Sequence, residues 1–272
     1  MKNRKKRWIS LLLMSLMILS LTACQKDTGE DNSLQYIKDN GKFVMGLDDT
    51  FAPMGFTDDN GDIIGFDVDL AKAVCEKLGV ELVLQPIKWE AKEQELATKN
   101  IDCIWNGLSL TPERKENMTM SKPYMTNDIS LVVKSDSAIA TMADMAGLKL
   151  AVQGGSSAEE ALNDETNKAF RESLGKINPF DKYDTALMDM ETGNSDAVLM
   201  DTVMANYMIT SLGKDYKVLA ESLLPDEYAI GFRKGDVALC EAVEKALNEL
   251  KADKTVEQIS IKWFGTDITT IQ

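Results

Sequence analysis

The chain has 272 residues with 30 basic and 44 acidic side chains and no histidine, for a formal net charge of −14. That balance excludes a nucleic-acid surface, which needs clustered lysine and arginine. The missing histidine excludes a Ser-His-Asp triad, a Cys-His dyad and a histidine-ligated zinc site.

Lys2, Arg4, Lys5, Lys6 and Arg7 precede an apolar run of 16 residues, 8–23. A membrane-crossing helix needs about 20 apolar residues, so residues 1–23 read as a signal peptide. Its close, Leu21-Thr22-Ala23-Cys24, resembles the bacterial lipoprotein box and implies a lipid on Cys24. Residues 24–33 are polar and aperiodic, as the lipidated cysteine and a tether should be. Loss of residues 1–23 leaves 25 basic against 44 acidic residues, a net charge of −19. Such a surface attracts cationic solutes and also keeps an exported protein soluble. The expected location is extracytoplasmic, lipid-anchored to the cell membrane.

About 240 residues follow the tether, enough for one or two lobes at roughly 100–200 residues per domain. Short apolar strands alternate with amphipathic helices, the pattern of an α/β fold. Residues 43–47 form the first strand and run into a turn-rich loop from Asp48 to Pro53. After a hairpin-like turn at 58–62, Phe66 opens a helix with Leu70, Ala71, Val74 and Leu78 on its apolar face and Gly79 as its stop. A strand at 81–87 and a weakly patterned helix at 89–99 follow. Cys75, Cys103 and Cys240 fall on apolar faces without metal-type spacing and are expected as buried free thiols. No metal or cofactor is expected.

An apolar run at 101–105 reads as a buried strand and leads into Asn106-Gly107-Leu108-Ser109-Leu110-Thr111-Pro112-Glu113-Arg114. Thr111 is placed as N-cap and Pro112 at the first helical position. Arg114 then faces the positive end of its own helix, which costs about 0.3–1 kcal/mol unless an anion is near. Two readings stay open at this point. Arg114, Ser109 and free backbone N–H groups grip one carboxylate, or Arg114 is a surface residue paired with a glutamate on its own helix.

Beyond a strand at 129–133, the strand at 148–152 ends in Gln153-Gly154-Gly155-Ser156-Ser157. Ser157 with Glu160 reads as a capping box, a second anion-ready helix start. A helix at 184–191, a strand at 195–200 ending at Asp201, and a helix at 202–212 come next. The last strand is expected at 228–232, followed by a helix capped by Asp236 and a short helix ending in Trp263-Phe264-Gly265. In open α/β sheets ligands bind beyond the carboxyl ends of strands. The strand ends at Gly107/Ser109/Arg114, at Gln153 to Ser157 and at Asp201 together suit a zwitterion, with Arg114 and two helix N-termini for a carboxylate and Asp201 for an ammonium. Phe51, Trp89 and Trp105 are candidate apolar walls, although Trp105 lies within a strand and is expected in the core.

Five stretches carry a family resemblance: Gly65-Phe66-Asp67-Val68-Asp69-Leu70-Ala71, Leu108-Ser109-Leu110-Thr111-Pro112-Glu113-Arg114, Ser121-Lys122-Pro123-Tyr124, Ser195-Asp196-Ala197-Val198-Leu199-Met200-Asp201 and Lys262-Trp263-Phe264-Gly265. Together they resemble the polar amino-acid-binding proteins of ABC importers, which include the glutamine- and histidine-binding periplasmic proteins. The resemblance implies a two-lobed periplasmic-binding-protein-like α/β fold with two crossover strands and a ligand cleft between the lobes. Lobe 1 would comprise residues 34–125 plus 229–272 and lobe 2 residues 129–225, with hinges at about 124–129 and 225–229.

By the same resemblance, Arg114 grips the α-carboxylate with Ser109, Ser156 and Ser157. Asp201 and the Gly107 carbonyl take the α-ammonium, and Phe51 and Trp89 hold the ligand in lobe 1. Asp48 matches an acidic position used on ligand side chains, and Gln153 stands where the glutamine binder has lysine. The expected ligand is therefore a basic or polar amino acid: arginine, lysine, histidine or glutamine. The implied partners are a free amino acid, the membrane permease of an ABC importer, and the membrane through the lipid anchor. A monomer without nucleic-acid or catalytic function is expected. The rivals are a cyclic-acid dehydratase-like enzyme on the same fold, with Asp48, Asp49 or Glu90 as the acid, and a ligand-sensing partner of a membrane receptor.

Overall fold

The apolar runs become the strands of one large mixed sheet, seen in a computed structural model that describes residues 31–271. The expected signal peptide and the lipid attachment at Cys24 lie outside the described residues. From Ser33 onward the chain forms one compact unit.

Helix α1 (Ser33–Asn40) leads into β1 (Lys42–Leu47). A small antiparallel sheet of β2 (Thr50–Phe51), β3 (Gly55–Thr57) and β4 (Ile63–Ile64) precedes α2 (Phe66–Leu78) and β5 (Glu81–Pro86). Helix α2 buries Phe66, Leu70, Ala71, Val74 and Cys75, and ends at Gly79 in the left-handed conformation. The helix expected at 89–99 is a 3₁₀ turn at Trp89–Ala91 followed by α3 (Lys92–Ala97). Strand β6 (Cys103–Ser109) is buried at every position and ends at α4 (Pro112–Asn117). Burial on both faces is why residues 103–109 show no alternation of polar and apolar side chains.

After β7 (Thr119–Met120), the strand expected at 129–133 is the longer β8 (Met125–Lys134). Strand β9 (Lys149–Gln153), α5 (Ser157–Asn163), α6 (Lys168–Ser173), β10 (Lys176–Phe180), α7 (Tyr183–Glu191), β11 (Ala197–Asp201) and α8 (Thr202–Thr210) build the second lobe. The helix expected to reach 212 thus stops at Thr210. The last strand, expected at 228–232, is the 17-residue β12 (Tyr216–Phe232). Its middle, from Glu221 to Glu227, is polar and partly exposed because it is a ribbon between lobes. Within it only Leu223 and Leu224 pack against the second-lobe core, two neighbours that set up no alternation.

The sheet order is β10-β9-β11-β8-β12-β6-β1-β5. Strands β8 and β12 run antiparallel, with Asn127 opposite Asp226 and Met125 opposite Tyr228. Further along, Tyr228 pairs with Ser109 and Phe232 with Cys103. The chain therefore returns to the first lobe, where α9 (Val237–Ala252) and α10 (Thr255–Phe264) pack on α2. Fully buried Trp105, Phe43, Phe66 and Phe232 anchor this lobe, each contributing about 1.5–3 kcal/mol by burial. Two lobes joined by two adjacent strands leave a cleft at the carboxyl ends of β6, β9 and β11.

Candidate functional site

Arg114 is placed by local chemistry. Thr111 adopts an extended conformation before α4, and its hydroxyl accepts the Arg114 N–H at 3.3 Å. The guanidinium is buried, 3% exposed. Nη1 donates to the Ser109 carbonyl at 3.0 Å, Nη2 donates to Glu160 at 2.6 Å, and Nε has no partner. Neither open reading of Arg114 foresaw this pairing, since Glu160 belongs to α5 in the second lobe.

The cause is a one-residue shift in the cap of α5. Ser156, not Ser157, is the N-cap: its hydroxyl accepts the Glu159 N–H at 3.2 Å and donates to the Gln153 carbonyl at 2.7 Å. Glu159 accepts the Gly155 N–H at 2.7 Å. The expected Ser157/Glu160 capping box is thus replaced, and both residues turn to the cleft. Burial pushes the Glu160 carboxyl up, against the pull of Arg114. Ser157 Oγ lies 2.8 Å from Ser109 Oγ, which in turn lies 2.7 Å from Asp226. With one proton per hydroxyl, Ser157 donates to Ser109 and Ser109 donates to Asp226.

Asp201 sits across the cleft, 3% exposed. It accepts from Asn127 Nδ2 at 2.7 Å, from the Tyr228 hydroxyl at 2.8 Å and, at 3.4 Å, from the Tyr183 hydroxyl. Burial, then the nearby Asp226, push its carboxyl up to about 7. Gly107 lies beside it with φ of 61°, and a Cβ there would stand 2.8 Å from Phe51 Cε1. Its N–H donates at 2.8 Å to Asp67, which also accepts from the Tyr124 hydroxyl at 2.9 Å. Asp67 is fully buried, and desolvation raises its carboxyl to about 7.

Aromatic walls close the remaining sides. Phe51 and Tyr183 meet across the lobes with ring centroids 5.9 Å apart, and Trp89 completes the lining. Trp105 is absent from the lining and packs in the core near Tyr124. Asp48 accepts from Thr50 at 2.7 and 3.0 Å and from Gln153 Nε2 at 2.8 Å, another contact between lobes. Asn106 accepts the Asp48 N–H at 2.9 Å, and its own amide nitrogen has no partner. Lys92 reaches the Gly155 carbonyl at 2.8 Å, with its ammonium 5.1 Å from the Trp89 ring centroid. Burial and Arg114 both lower its affinity for a proton.

Asp48, Phe51, Trp89, Gly107, Ser109, Arg114, Gln153, Ser156, Ser157 and Asp201 therefore face one cavity, joined by Asn106 and Tyr183. The space between these residues is a narrow slot of ≈ 280 Å³, counted with its open mouth. Sequence reasoning does not find Tyr183 in the lining, nor Glu160, Asn127 and Asp226, which hold Arg114, Asp201 and Ser109 from behind it, because tertiary pairing alone brings them there. Asn106 carried a signal, since it opens the strand-end motif. Cys75, Cys103 and Cys240 are buried free thiols, and burial raises Cys75 and Cys240 to about 12.

Comparison with known proteins adds to this geometry. The family described as bacterial extracellular solute-binding proteins, family 3, matches residues 43–266. The chain belongs to this family. The L-cystine-binding protein TcyJ of Escherichia coli is 31% identical to this solute-binding protein over 261 residues, covering 94% of this chain and 96% of TcyJ. A substrate-binding protein of an ABC uptake transporter from Streptococcus pneumoniae, solved with bound histidine, is 39% identical with a TM-score of 0.85. That match covers 89% of the solute-binding protein and 100% of the pneumococcal chain. Tv2483, solved bound to L-arginine, is 28% identical with a TM-score of 0.84, covering 89% of this chain and 98% of its own.

Proposed function

We propose that this protein captures a free amino acid, basic or polar, outside the cytoplasm and delivers it to the membrane permease of an ABC importer. One observation carries the reading: a buried guanidinium with an unpartnered Nε and a buried carboxylate, Arg114 and Asp201, face one narrow cavity. Glu160 and the Ser109 carbonyl leave the Arg114 Nε without an acceptor, and only neutral donors meet Asp201, so the carboxylate and ammonium of an amino acid supply what each lacks. Arg114 takes the α-carboxylate, helped by backbone N–H groups of Ser156 and Ser157 and by the hydroxyls of Ser109, Ser156 and Ser157 as they turn from the partners they hold here. Asp201 and the Gly107 carbonyl take the α-ammonium, Phe51 and Trp89 hold the apolar stem, and Asp48 and Gln153 meet the side chain. The relatives named above, which bind cystine, histidine and arginine, support a polar or basic ligand.

Closure follows from ligand contacts to both lobes, which shift an open–closed equilibrium. The lobes are residues 34–125 plus 229–272 and residues 129–225, hinged at about 124–129 and 225–229. Cys24 carries a lipid that holds the monomer at the membrane. Two of the candidate acids for a dehydratase are already engaged: Asp48 accepts from Thr50 and Gln153, and Asp49 pairs with Lys182 at 2.9 Å. This favours binding without catalysis. Calorimetric titration of residues 26–272 with the twenty amino acids tests the proposal. Micromolar or tighter binding of at least one is expected, and no binding at millimolar concentration overturns it.

A further inference from the structure

Behind the cleft wall a second carboxylate, Asp226, stands close to Asp201. Asp226 lies on β12 where that strand crosses between lobes, directly opposite Asn127 on β8. The Asn127 amide nitrogen donates to Asp201 at 2.7 Å and to Asp226 at 2.9 Å. The two acids thus share one neutral donor. Around Asp201 stand Tyr183 from α7, Tyr228 from β12 and Asn127 from β8; around Asp226 stand Ser109 from β6, Asn127, and Arg114 from α4. Arg114 is engaged by the Ser109 carbonyl and Glu160. Two desolvated like charges this close oppose each other's ionisation.

We propose that Asp201 and Asp226 act as one carboxyl pair that keeps a single proton until the ligand amino group replaces it. This makes Asp226 a specificity-determining residue for a protonated amine, and the inference rests on the reading that Asp201 receives the ammonium. Charge is conserved in the exchange: a pair with one proton carries one negative charge, and a fully ionised pair holding an ammonium carries the same. The proton leaves to solvent. A neutral hydroxyl in place of the amine cannot displace it, so the pair selects against 2-hydroxy acids. Burial raises both carboxyls, that of Asp201 to about 7, in agreement with a shared proton.

The test is calorimetry with L-arginine and L-glutamine at pH 6, where the pair holds its proton and neither side chain titrates, in phosphate and in Bis-Tris. The buffer dependence of the heat counts protons. Wild-type protein should release about one proton for each molecule bound, and Asp226→Asn should lose most of that release. Binding without proton release in the wild type, or unchanged release in the variant, overturns the pair. A second arm needs no ligand and separates this failure from failure of the amino-acid reading. The shared proton stabilises the fold at low pH and is lost as pH rises to about 7. The wild-type melting temperature should therefore exceed that of Asp226→Asn by more at pH 5 than at pH 8. A pH-independent gap overturns the pair, with Asp226→Ser in reserve if the first variant fails to fold.

Discussion

Arg114 Nη2 donates to Glu160 at 2.6 Å across the cleft, so the cation in the first turn of one lobe is neutralised by the first turn of the other. The guanidinium is 3% exposed and the carboxylate 34%. Arg114 is therefore the fixed partner, held also by the Ser109 carbonyl, while Glu160 keeps contact with water.

Removing that fixed charge should remove the carboxylate grip. Arg114→Ala is expected to weaken amino-acid binding by about 2–5 kcal/mol, the usual loss on truncating one member of a buried charge pair. Calorimetry checks this, and affinity within threefold of wild type would show that Arg114 serves the fold alone.

Asp48 should govern preference. Asp48→Asn keeps an acceptor for Thr50 but loses the negative charge on the side-chain end of the slot. Preference for L-arginine over L-glutamine should fall at least tenfold, about 1.4 kcal/mol, while affinity for L-glutamine changes less. An unchanged ratio in competition titrations would place the ligand side chain elsewhere.

Gly107→Ala tests the close approach at the end of β6. The left-handed backbone at φ of 61° costs an alanine about 1–2 kcal/mol. The added carbon also meets Phe51 at 2.8 Å and Tyr228 at 3.2 Å. Lower thermal stability together with weaker binding is expected. Wild-type behaviour in both would show that the wall yields freely.

Asp67 gives a pH signature. Its carboxyl holds a proton more tightly in the folded state, at about 7, than in the unfolded chain at about 3.9. The stabilising share of that proton is complete below the lower value and lost as pH rises through the higher one. The stability advantage of wild type over Asp67→Asn should therefore shrink between pH 5 and pH 8. Melting curves giving a constant gap would show that Asp67 does not titrate in this range.

What could be read in advance follows the range of the forces. Thr111, Pro112 and Arg114 were legible because capping chemistry acts within four residues. Cap position was less secure: serines at both 156 and 157 could serve, and the choice of Ser156 sent Glu160 to Arg114. Strand β12 was half hidden because its middle pairs with β8 and offers a core only the adjacent Leu223 and Leu224, which make no alternating pattern. Tyr183 and Asp226 join the site only through contacts between distant segments, with Phe51 and Asn127. No local pattern marks such contacts.

The zwitterion clamp itself is tested most directly by competition titration. The tightest-binding amino acid is displaced by its own methyl ester, which lacks the carboxylate, and by its N-acetyl derivative, which lacks the ammonium. Loss of either charge should weaken binding at least a hundredfold, about 2.7 kcal/mol. Derivatives that bind as tightly as the parent amino acid would contradict the assignment of Arg114 and Asp201.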